Sequence, residues 1–149
     1  MFKQFSIALL LITATNHAIT TIQASSLNCT TPTVLTGSTI IELDVPLVLS
    51  NSCSLITAGG GFGATDTVTF RPTVANTITL ASNVVVSPIG IITVNNPCIW
   101  DITSFNQSGQ KFIFESVIIN LNAGATIWAD GVTFELQGTS QMITTPITP

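Results

Sequence analysis

The chain has 149 residues, of which 46% are hydrophobic and only 7% charged, with a formal net charge of −4. That apolar content excludes a disordered chain, and three Lys and Arg residues in all exclude binding to nucleic acid or to an anionic membrane surface, both of which need clustered cations. Thr, Asn and Ser take the place of charge, so the surface hydrogen-bonds while staying nearly neutral.

The first residues, MFKQFSIALLLITATNHAITTIQASS, carry one Lys3, an apolar run from Phe5 to Ile12 and a small, polar flank. This is the layout of a secretory signal peptide, and the apolar run is too short for a stable membrane span of about 20 residues. Residues 1–26 are expected to be the signal peptide, with cleavage after Ala24 or Ser26 ahead of Ala18. Cleavage removes His17, the only histidine, and leaves Arg71 and Lys111 as the only basic side chains. A secreted or cell-surface protein without histidine has no Ser-His or Cys-His nucleophile system.

From about residue 30, short runs rich in Ile, Val, Thr and Phe alternate with Gly, Pro, Asn and Ser. In STIIELDV, Ile41, Leu43 and Val45 fall on one face and Glu42 and Asp44 on the other, the period of a half-buried strand. Glu42 and Asp44 are the nearest approach to a carboxylate pair, and a solvated strand face explains them equally well.

The stretch AGGGFGATDT, residues 58–67, admits three readings. Gly59, Gly61 and Ala64 fit a dinucleotide fingerprint, but that loop must open a helix, and the β-branched TDTVTFRPTVANTITL follows instead. A calcium-binding glycine repeat needs several consecutive copies, and there is one, with Asp66 a residue late. The remaining reading is a tight glycine corner between strands at Leu55–Thr57 and Thr67–Phe70.

Further along, Cys98, Trp100 and Ile102 alternate together and are expected in the core. In ATIWADG, Ile127 is expected inward, so Thr126, Trp128 and Asp130 point outward together. An aromatic ring beside a carboxylate suits a sugar, the ring stacking on the pyranose and the acid accepting hydroxyl hydrogen bonds. A loop over the ring, or stacking on a neighbouring coil, is the plainer alternative.

The cysteines that remain after cleavage are Cys29, Cys53 and Cys98, an odd number for an exported chain. In an oxidising compartment a Cys29–Cys53 disulfide is expected, with Cys98 a buried thiol. No residue set suits a metal or other cofactor.

Strand comparison aligns IIEL-DVP-LVL-SNS-CSLIT near residues 40–57 with TITL-ASN-VVV-SPI-GIITV near 77–94, placing Leu43 over Leu80. A third copy, IINL-NAGA-TIW-AD-GVTFEL, starts about four residues late. Recurring strand triplets are what a solenoid needs, and the offset implies two coils of about 18 to 19 residues. INLNAGATIWADGVTFELQG resembles the right-handed parallel β-helix proteins, pectin-lyase-like and adhesin-like, over residues 37–138. The resemblance implies an all-β, single-stranded right-handed parallel β-helix (β-solenoid); a β-sandwich is the alternative.

The expected organisation is a solenoid domain over residues 27–140 and a Thr/Pro-rich tail over 141–149. The expected role is a non-enzymatic adhesin-like surface or matrix protein contacting polysaccharide or a surface protein, with end-to-end self-association through unpaired strand edges. The alternative is a fragment or inactive relative of a β-helix polysaccharide lyase or hydrolase. Clustering of carboxylates on one face with Arg71 or Lys111 separates the two.

Overall fold

The computed structural model describes residues 18–27, 31–50, 53–57, 62–89, 92–96, 98–107 and 109–145. Among them there is no α-helix, only one short 3-10 turn at Ala24–Ser26. The strands are β1 Thr20–Gln23, β2 Thr33–Leu35, β3 Thr39–Leu43, β4 Leu47–Leu49, β5 Cys53–Thr57, β6 Thr67–Pro72 and β7 Thr77–Leu80. They continue with β8 Asn83–Val86, β9 Ile92–Asn96, β10 Ile99–Asp101, β11 Lys111–Glu115, β12 Ile118–Asn122, β13 Thr126–Trp128, β14 Thr133–Gln137 and β15 Gln141–Thr145.

Three parallel sheets carry this order: β1-β3-β6-β11-β14, β2-β5-β10-β13 and β4-β7-β12-β15. Each circuit of the chain therefore lays one strand in each sheet and returns one row further on, which is consistent with a β-solenoid. The parallel ladders exclude the β-sandwich alternative, whose sheets are antiparallel. Among the described residues only β8 and β9 pair antiparallel, as a hairpin inserted between β7 and β10.

Alternation sets the core. Ile41 and Leu43 of β3, Val68 and Phe70 of β6, Phe112 and Phe114 of β11, and Ile78 and Leu80 of β7 are all buried. Phe70 stacks on Phe114 at 5.0 Å and meets Trp100 edge-on at 5.5 Å. Cys98, Trp100 and Ile102 are buried as the sequence alternation predicts. Val45 is exposed, because β3 ends at Leu43 and the alternation of STIIELDV ends with it.

The expected repeat is corrected by the register. Leu80 pairs with Leu49 and with Leu121, whereas Leu43 pairs with Pro72 in a different sheet. The aligned segments thus belong to different sides of the fold, although Leu43 and Leu80 are buried and Leu121 packs against the core. Along the first sheet Thr20 pairs with Thr39, Thr39 with Val68, Thr67 with Lys111 and Lys111 with Thr133. Successive circuits are therefore 19, 29, 44 and 22 residues long, and no single offset describes them.

Insertions account for the long circuits. One is the glycine stretch between β5 and β6, of which residues 58–61 lie outside the described residues. Its described end is an anchored loop: Phe62 is buried edge-on against Phe105 at 4.9 Å, and Asp66 accepts hydrogen bonds from Gly63 N–H at 2.6 Å and Ser38 Oγ at 2.9 Å. Gly63 is not among the positive-φ glycines. The others are the β8–β9 hairpin and the loop between β10 and β11, held by Phe105 in the core.

Both termini of the fold extend past the boundaries expected from sequence. β1 pairs with β3 over four residues, and Ala24 is buried. The segment from Gln141 forms β15, in register with β12 over five residues.

Candidate functional site

The outer face of the first sheet gathers most of the charge. Parallel register places Gln23, Glu42, Arg71, Glu115 and Gln137 on successive strands in one row. Arg71 donates from Nε to Glu115 Oε2 at 2.7 Å and from Nη2 to Oε1 at 3.1 Å, and Gln23 donates to Glu42 at 2.7 Å. Lys111 Nζ lies 3.0 Å from Glu135 Oε2, and Gln137 donates to the other Glu135 oxygen at 2.6 Å.

The clustering of carboxylates with Arg71 and Lys111 that would favour an enzyme is thus present, but its electrostatics are those of closed ion pairs. Hydrogen bonds and charge from Arg71 hold Glu115 below the usual carboxylate range, and Glu115 in turn raises Arg71. Gln137 first, then Lys111, lowers Glu135. A general acid in glycoside chemistry needs a carboxyl raised towards neutrality, and these shifts run the other way.

Glu42 and Asp44 do share the outer side of the fold. Asp44 lies just past β3, accepts from Ser25 N–H at 3.0 Å and Ser25 Oγ at 2.5 Å, and is lowered by those bonds. Each acid is thus engaged with the segment Gln23–Ser25, which they tie to the body.

The second sheet carries the aromatic site. Thr126 and Trp128 of β13 share its outer face, while Ile127 packs inward on the core. Trp128 is 51% exposed. Asp130 is also exposed but sits in the turn after β13, so strand pleating does not align it with the ring. Register instead puts Asp101 of β10 beside Trp128, a neighbour that sequence spacing misses because 27 residues separate the two. Asp101 Oδ1 accepts from Thr103 N–H at 3.0 Å and Oγ1 at 2.7 Å. The turn is kept close by Gly131, at φ 72°, where a Cβ would stand 3.0 Å from the Asn106 carbonyl oxygen.

Cys29 lies outside the described residues, and the expected Cys29–Cys53 disulfide with it. Cys53 pairs in register with Trp100, two residues beyond Cys98. Cys53 and Cys98 are therefore diagonal neighbours about 8 Å apart by strand spacing, beyond disulfide reach. The Cys98 thiol is buried and donates to the Leu49 carbonyl at 3.0 Å.

No group of three or more His, Cys, Asp or Glu side chains suited to a metal ion occurs among the described residues. No helix among them is long and apolar enough to cross a membrane. Comparison of the chain with protein-family models, curated proteins and solved structures finds no match.

Proposed function

We propose that this protein is an exported, non-enzymatic scaffold whose outer face around Trp128 binds neutral or weakly charged polysaccharide. In this reading the three-sheet circuits form a single right-handed β-helix. The observation that carries the reading is Trp128: a large ring left half-exposed on a parallel strand, with Thr126 on the same face and Asp101 beside it in register. A pyranose face stacks on such a ring and its hydroxyls reach the flanking oxygens. The scarcity of cations favours neutral glycans over acidic ones.

Export is proposed with the leader ending at Ala18. That position keeps β1 and the buried Ala24 in the product, whereas processing after Ala24 or Ser26 removes β1.

Glycan-array or affinity-electrophoresis measurements test the surface role. Binding that is lost on Trp128→Ala, with the melting temperature unchanged, supports it; absence of binding to any neutral glycan rejects it.

A second reading is an active or decayed polysaccharide lyase or hydrolase, favoured by the grouping of Glu42, Arg71 and Glu115 on one sheet face. Release of reducing ends or unsaturated products from a polysaccharide panel, abolished by Glu42→Gln or Glu115→Gln, would replace the scaffold reading with this one.

A further inference from the structure

Trp100 of β10 points into the core, so Asp101 after it faces outward, in register with Trp128 of β13 on one side and Ser54 of β5 on the other. Neighbouring strands stand about 4.8 Å apart, which puts the carboxylate within reach of a group lying on the half-exposed ring. Its orientation is held by a turn: Oδ1 accepts from Thr103 N–H at 3.0 Å and from Thr103 Oγ1 at 2.7 Å. Both bonds fall on that one oxygen, and Oδ2 accepts no hydrogen bond among the described residues.

No cation answers this carboxylate. The basic side chains among the described residues are Arg71 and Lys111, and both are engaged on the first sheet, Arg71 with Glu115 at 2.7 Å and Lys111 with Glu135 at 3.0 Å. Asp130, exposed in the turn after β13, adds negative charge two residues from the ring, and the whole chain carries −4. The face of an indole attracts a cation, and a hydrogen bond from an ionised donor to a carboxylate is about twice as strong as a neutral one. An exposed ring beside an unanswered carboxylate therefore favours a ligand that brings positive charge.

We infer that the glycan held on the Trp128 face is an amino-sugar polymer with free amino groups, one sugar stacking on the ring while its ammonium group donates to Asp101 Oδ2; this rests on the surface reading proposed above. An amino sugar makes every contact that a neutral pyranose makes with the indole and adds the charged ones. A neutral sugar offers Asp101 only hydroxyl donors, and an acidic sugar meets it with repulsion. The order of affinity is amine-bearing, then neutral, then acidic. Thr126 on the face of Trp128 and Ser54 in the row of Asp101 present hydroxyl groups that a polyhydroxylated chain engages and a lysine side chain does not, which selects a glycan over a basic peptide.

Titration calorimetry on the purified full chain tests this, comparing glucosamine oligomers with N-acetylglucosamine oligomers of the same length at a pH that keeps the amines protonated. The expected result is about 10-fold tighter binding of the amine form at low salt, from an exposed cation–π contact and an exposed ion pair together, with the ratio shrinking as salt is added. Asp101→Asn, whose amide oxygen still accepts from Thr103, should bring the two affinities to within about 3-fold. Glu135→Gln makes the same change in net charge on another sheet and should leave the ratio intact. Equal affinities for the two oligomers, both lost on Trp128→Ala, overturn the inference and keep the surface reading. Binding of neither oligomer overturns both. A ratio that survives Asp101→Asn overturns the inference because another group then reads the amine, and oligolysine binding as tightly as the amine oligomer does so because charge alone then suffices.

Discussion

Arg71 of β6 and Glu115 of β11 sit side by side on neighbouring strands and meet through two hydrogen bonds, 2.7 and 3.1 Å, although 44 residues separate them in sequence. The pair ties the second full circuit to the third across the outer face of the first sheet. Its side chains are 43% and 33% exposed, so solvent screening limits its contribution to about 1 kcal/mol or less.

The pH dependence follows from the sign of the shift. Glu115 is depressed in the folded state by Arg71, so its stabilisation is present above the unfolded glutamate value, about 4.3, and is lost as pH falls through the lower folded value. Thermal melts of Glu115→Gln should therefore fall below wild type at pH 7 and converge with it in the acid range. A gap that stays constant down to pH 2 refutes this assignment.

The aromatic stack predicts the largest single loss. Phe70 touches Trp100, Phe112 and Phe114 and has no solvent exposure. Phe70→Ala removes contacts in two sheets at once and should cost about 3 to 5 kcal/mol, read as a shift in denaturant midpoint. Phe70→Leu, which keeps most of the volume, should cost clearly less.

Gly138 and Ser116 form a close approach between the last two circuits. Gly138 has φ 62°, and a Cβ there would stand against Ser116 Oγ; Ser116 itself has φ 55°. Gly138→Ala should destabilise by more than about 1 kcal/mol, from backbone strain and collision together. Ser116→Gly relieves both the collision and the unfavourable φ at 116, so in the double variant part of the loss should return. Equal melting temperatures for Gly138→Ala and wild type would contradict the geometry.

The N-terminal segment predicts both a processing site and a stability difference. Protein beginning at Ile19 retains the β1–β3 ladder and the bonds from Gln23 and Ser25 to Glu42 and Asp44. Protein beginning at Leu27 lacks them and should melt at a lower temperature. Mass spectrometry of the exported product is expected to place its first residue at Ile19; a start at Ser25 or Leu27 rejects the Ala18 site.

The all-β class was legible in the sequence because it follows from local chemistry. β-branched residues at alternating positions, punctuated by Gly, Pro and Asn, form strands whatever their partners, and the alternation correctly put Cys98, Trp100, Ile102 and Ile127 on the inner side. The outward placement of Thr126 and Trp128 came from the same period of two. What the sequence could not reveal was which strand lies beside which. Parallel neighbours are joined through two other sheets, and insertions of unequal length make the circuits 19 to 44 residues long, so the apparent repeat matched Leu43 with Leu80 across different sheets. Only the tertiary register brings Arg71 to Glu115 and Asp101 to Trp128, and only the stacking of circuits separates a buried Phe114 from the exposed Leu136 in the same inward row. The physical reason is that alternation determines the face of a strand from its own residues, whereas burial and pairing depend on whether another row lies on top.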